Sequence, residues 1–118
     1  MTDKPDEPRA HTQEEMQDLF LNQIAAYVNY WARVDIQPNK GETEAHARLS
    51  GLAFSILGIL DGVTELPSFE IVPVPAEGDR EFLIEEGENY WPPSELPENV
   101  TTIHGGSMLH ELYAGRGR

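Results

Sequence analysis

Leu49-Ser50-Gly51-Leu52-Ala53-Phe54-Ser55-Ile56-Leu57-Gly58-Ile59-Leu60 is the stretch that decides the fold. It holds no charge and is apolar nearly all round at helical spacing, the pattern of a helix covered on every side. The same helix begins at Glu42, where Glu44 and Arg48 form an i,i+4 pair oriented with the helix dipole. Asp61-Gly62 closes it, Gly62 suiting a left-handed cap. A helix over 42–60 is therefore the expected core element, with Leu57 among its buried side chains. Gly51, Ser55 and Gly58 lie along one side and leave a shallow groove. A neighbouring helix or subunit can approach closely there, offsetting the propensity cost of two glycines. A homodimer is expected on this ground, because an all-apolar helix is hard to cover in a small monomer.

Upstream, residues 1–11 carry two prolines, several charges and little to bury, and read as a disordered tail. Thr12 and Glu15 make a capping box, in which each side chain satisfies a free amide at a helix start. Met16, Leu19/Phe20, Ile24, Tyr27/Val28, Trp31 and Val34 then recur at helical spacing as one stripe. Pro38-Asn39-Lys40-Gly41 stops that helix and turns the chain.

Downstream the period changes. Phe69-Glu70-Ile71-Val72-Pro73-Val74 reads as a strand, short or at a sheet edge because Pro73 and Pro75 cannot donate to a ladder. Asp79 can cap a helix over 80–86, closed by Gly87. Asn89-Tyr90-Trp91-Pro92-Pro93 is extended, since proline disfavours helix in the residue before it. Residues 100–103 suit a second short strand, and Ser107 can cap a last helix ending at Tyr113, with 115–118 frayed. The expected fold is α+β: a two-helix hairpin packed on a small sheet with short C-terminal helices, in a single domain over 12–114.

The net charge is −13 on 118 residues, and it is unevenly placed. Between Glu65 and Glu98 stand ten acids and one base, Arg80. Such a surface repels nucleic-acid backbones and anionic membranes and attracts basic protein surfaces. The absence of cysteine excludes disulfide scaffolds, thiolate metal sites and cysteine nucleophiles. The start MTDKPDEPRAHTQEEM has no apolar signal core, and the longest apolar run, 52–60, is too short to span a bilayer. A soluble cytoplasmic protein is expected.

Several blocks also occur in a familiar order. Arg48-Leu49-x-Gly51-Leu52-Ala53-Phe54-Ser55-Ile56-Leu57 and Leu60-Asp61-Gly62 are followed by Leu66-Pro67-x-Phe69 and Val72-Pro73. Glu86-Gly87-Glu88-Asn89-Tyr90-Trp91-Pro92 and Leu109-His110-Glu111 complete the set. Over residues 44–113 this resembles a family of small uncharacterised proteins from actinobacteria and their phages. The resemblance implies a shared fold and a mobile-element origin, and brings no catalytic residues with it.

Three constellations can carry chemistry. His46, His104, His110 and Glu111 offer imidazole and carboxylate groups for a metal or an acid–base pair. The spacing H-E-x-x-H is absent, and the plainer alternative has His110 packed under the last helix and His46 solvated. His104-Gly105-Gly106-Ser107 at a helix start can present amides to an anion, or simply be a turn and a cap. No nucleophile elbow, P-loop or dinucleotide fingerprint accompanies it. The acidic-aromatic run around Glu85, Glu86, Glu88, Tyr90 and Trp91 can form a docking surface for a basic partner. Alternatively Trp91 folds back onto the core and the acids are only hydrated.

The leading expectation is a small acidic non-enzymatic interaction protein that binds a basic protein surface through Glu85, Glu86, Glu88, Tyr90 and Trp91. DNA mimicry is its sharp form. No cofactor, metal or direct nucleic-acid contact is expected. An oligomeric assembly protein and a small metal-dependent enzyme using His46, His104, His110 and Glu111 are the alternatives.

Overall fold

The computed structural model describes residues 7–94, 96–104 and 108–116. Four helices follow in order: α1 over Gln13–Arg33, α2 over Glu44–Asp61, α3 over Asp79–Glu85 and α4 over Leu109–Arg116. No residue among those described lies in a β-strand. The chain divides into two compact units, one of Met1–Ser68 with Thr101–Arg118 and one of Phe69–Val100.

In the first unit, α1 starts where its capping box places it. Thr12 Oγ1 accepts from the Glu15 amide at 3.1 Å, and the Glu15 carboxylate accepts from the Thr12 amide at 2.9 Å. Arg9, within the segment expected as a disordered tail, grips the same carboxylate with both guanidinium nitrogens at 2.8 Å and is tied to the helix start. The Arg9 guanidinium, and then the Thr12 amide, hold the Glu15 carboxyl down at about 2. The buried face of α1 is Gln17, Phe20 and Leu21, rotated slightly from the expected stripe, so that Leu19 is exposed.

α2 is capped by Thr43, whose hydroxyl accepts from the His46 amide at 3.0 Å. Glu42, expected as the first helical residue, stays outside. Its carboxylate accepts from the Asn39 amide at 3.0 Å and faces His46 Nδ1 at 2.9 Å. Gly62 ends the helix at φ +81° with its amide on the carbonyls of the last turn, as a left-handed cap requires.

α1 packs against α2 through the small-residue groove. The Trp31 ring lies over Gly51, where an added Cβ would stand 2.5 Å from ring carbons. Trp31 Nε1 donates to Ser55 Oγ at 2.9 Å, and Val63 fills the space beside Gly58. Arg48, paired with Glu44 at 2.7 Å, also donates to the Trp31 carbonyl. The groove is thus filled from within the chain.

The expectation of a helix buried on every side is corrected here. Ile59 is fully buried, yet Leu49, Phe54 and Leu57 are 67%, 76% and 58% exposed. Of the helices in its unit, α2 packs against α1 alone. A single neighbour covers only one side of a helix, whatever the other sides are made of.

The α+β expectation is also corrected. Residues 69–74 form no strand, and Ile71 and Val74 are largely exposed. Prolines 73 and 75 remove two ladder donors, and residues 100–103 do not supply a partner strand. Those latter residues are instead held by side chains of α1. Gln13 Nε2 donates to the Thr102 carbonyl and Gln17 Nε2 to the Ile103 carbonyl, each at 2.9 Å. That bond explains why Gln17, a polar residue, is buried.

α4 packs on α1 and runs to Arg116, three residues past the expected end. Arg116 reaches Asp18 at 3.1 Å and also donates to Asn22. The proposed Ser107 cap lies outside the described residues.

Candidate functional site

The unit Phe69–Val100 is built around α3. Gly78, at φ +89°, occupies the cap position expected of Asp79, and Asp79 is the first helical residue. The Asp79 carboxylate turns back to accept from the Ala76 amide at 3.1 Å, which fixes the entering turn. At the other end Gly87 takes φ +75°, and the Glu88 amide donates to the Leu83 carbonyl at 2.9 Å. This reversal sends the following residues back along α3.

The reversal brings Tyr90 under Arg80. The guanidinium carbon stands 5.0 Å from the ring centroid, a cation–π geometry. Arg80 is the only base in the unit, against nine acids. Its guanidinium is thus engaged with an aromatic face. Among the described residues of the unit none is buried. Trp91 is 64% exposed, Phe82 60% and Ile84 52%. Glu85, Glu86 and Glu88 are exposed beside them. A unit of this size has too little interior to hide its apolar side chains, so they remain at the surface among the acids.

The chain matches no protein-family model, no curated protein and no solved structure. The arrangement of side chains therefore carries the functional reading.

The five residues expected to bind a partner, Glu85, Glu86, Glu88, Tyr90 and Trp91, flank the turn at Gly87 and are all exposed. The histidine constellation is not assembled. His46 sits at the start of α2 against Glu42, while His110 and Glu111 are exposed on α4, so His110 is not packed beneath its helix. No three His, Asp or Glu residues come together to hold a metal ion among the described residues. His104 is exposed, and the Gly105-Gly106-Ser107 anion cradle lies outside the described residues.

Two shallow depressions on the first unit are open to solvent. One lies at the α1–α2 turn between Asn39 and His46, the other on α1 around Tyr30 and Arg33. Among the described helices none is long and apolar enough to cross a membrane. The sequence reading missed the engagement of Arg80 by Tyr90. Its only trace was that one base stood alone in an acidic run, ten residues before an aromatic.

Proposed function

We propose that this chain is an acidic interaction protein, not an enzyme, which engages a basic protein surface through Glu85, Glu86, Glu88, Tyr90 and Trp91. The observation that carries the reading is the exposure of Trp91 within a unit of nine acids and one base that rests on an aromatic ring, with no buried side chain among the described residues. Carboxylates speed the encounter with a cationic partner over roughly a Debye length, about 8 Å at physiological salt. Tyr and Trp supply the short-range anchor, because large aromatic rings gain most from being desolvated at an interface. The same field disfavours a phosphate backbone. The resemblance to actinobacterial and phage proteins suggests a mobile-element setting, in which the basic surface belongs to the host.

An oligolysine peptide with a terminal fluorophore serves as a defined partner mimic, followed by the anisotropy of that label and by stopped flow. Binding should weaken as salt rises. Reversal of Glu85, Glu86 and Glu88 to lysine should slow association and flatten the salt dependence, and Trp91→Ala should mainly speed dissociation. If both variants bind as wild type does, this face is only a hydrated surface.

A further inference from the structure

We propose that the outer face of α2 is a self-association surface, which seats antiparallel on α2 of a second copy about a two-fold axis at Ala53. Successive helical residues turn by about 100°, so Leu49, Ala53 and Leu57 stand about 160–240° round from Gly51, opposite the Trp31 contact. Leu49 and Leu57 are 67% and 58% exposed, and half-buried Ile56 and Leu60 border them. This is an apolar strip on a chain of net charge −13, the kind of patch that marks a contact. It differs from the Gly51/Ser55/Gly58 groove, which Trp31 and Val63 already occupy.

Two observations select a second copy as the occupant. First, residues 49–60 contain no charge, so nothing on the strip would select the basic partner that the acidic unit attracts. Second, the strip complements itself when reversed. An antiparallel pairing about Ala53 sets Leu49 against the second copy's Leu57 and places the small Ala53 where the axes come closest. It also brings His46, exposed at the start of α2, within one residue of the level of the second copy's Asp61 at the end. A parallel pairing would set Asp61 beside Asp61 and align the two helix dipoles unfavourably.

The absence of cysteine in the chain makes the geometry directly testable. In the antiparallel arrangement two copies of residue 49 lie about 12 Å apart along the axes, beyond the roughly 7 Å that a disulfide allows between Cα atoms. Leu49→Cys alone and Leu57→Cys alone should therefore resist oxidative cross-linking, whereas their mixture and Ala53→Cys alone should cross-link. Sedimentation equilibrium of the wild type at micromolar concentration should give twice the 13.2 kDa of one chain. Ala53→Arg, which opposes two like charges at the axis, should return the mass to that of one chain with an unchanged far-UV spectrum. Added salt should tighten the dimer, because it screens repulsion between two chains of −13 each. A monomeric wild type overturns the proposal, whether the strip is then bare or covered by another part of the chain. Self-cross-linking of Leu49→Cys, or a salt-weakened dimer, overturns it as well.

Discussion

Gly51→Ala isolates the contact on which the helical hairpin rests. An alanine in the middle of an exposed helix ordinarily stabilises it by about 1 kcal/mol relative to glycine. At position 51 the new Cβ would lie 2.5 Å from Trp31 Cη2 and Cζ3 and 2.7 Å from Cε3. Atoms cannot approach that closely, so the indole must tilt or the helices must part. Overpacking of this kind costs about 1–3 kcal/mol. Tilting the ring also draws Nε1 away from Ser55 Oγ, forfeiting a hydrogen bond worth about 0.5–1.5 kcal/mol. The losses exceed the propensity gain, and the variant should be less stable by about 1–3 kcal/mol. Gly58→Ala is the internal control: it carries the same propensity gain, but its added Cβ meets only a Val63 methyl at 3.1 Å. It should be neutral or stabilising. Thermal unfolding followed by far-UV circular dichroism resolves the pair, since about 1 kcal/mol moves the midpoint of a domain this size by about 4–8 °C. A Gly51→Ala variant as stable as Gly58→Ala would refute the seating of Trp31 on α2.

Three further outcomes follow from the first unit. Ile59→Ala, at the one fully buried side chain of α2, should cost about 2–5 kcal/mol in urea unfolding through lost burial and a residual cavity. Gln17→Ala removes the donor to the Ile103 carbonyl and should cost about 0.5–1.5 kcal/mol, with faster amide exchange in residues 101–104 as the local signature. Glu15 titrates at about 2 in the folded chain against an ordinary 4.5, so its stabilisation is complete above 4.5 and disappears as pH falls toward 2. The melting temperature of Glu15→Ala should accordingly lie below that of wild type at neutral pH and converge with it near pH 2.

What the sequence made legible was local. The capping box of Thr12 and Glu15 sets the start of α1, and Gly62 and Gly87 take the left-handed backbone that ends α2 and α3. Each of these signals is satisfied by atoms within a few residues of itself. The exposure of Glu85, Glu86 and Glu88 followed from charge in the same way, whereas the sequence left Trp91 open between an exposed docking residue and one folded onto the core. What failed depended on distant partners. Phe69 to Val74 has the composition of a strand, but a ladder needs a second strand, and the carbonyls of Thr102 and Ile103 bond to glutamine amides instead. The charge-free half of α2 has the composition of a buried helix, but periodicity records which residues are apolar and not how many neighbours arrive to cover them. The small-residue groove was visible in Gly51, Ser55 and Gly58, while its occupant, Trp31 from twenty residues earlier, had no signature there.

The placement of the two tryptophans gives each unit its own optical reporter. Trp31 is half-buried, hydrogen-bonded and in edge contact with Tyr30 at 5.1 Å between ring centroids. Trp91 projects into water among carboxylates. Collisional quenchers of opposite charge should therefore separate them: caesium ions gather around the acidic segment and extinguish Trp91 preferentially, whereas iodide is driven away from it. With Trp31→Phe and Trp91→Phe variants, the melting of the helical hairpin and the surroundings of the acidic segment become two separate emission signals from one small chain.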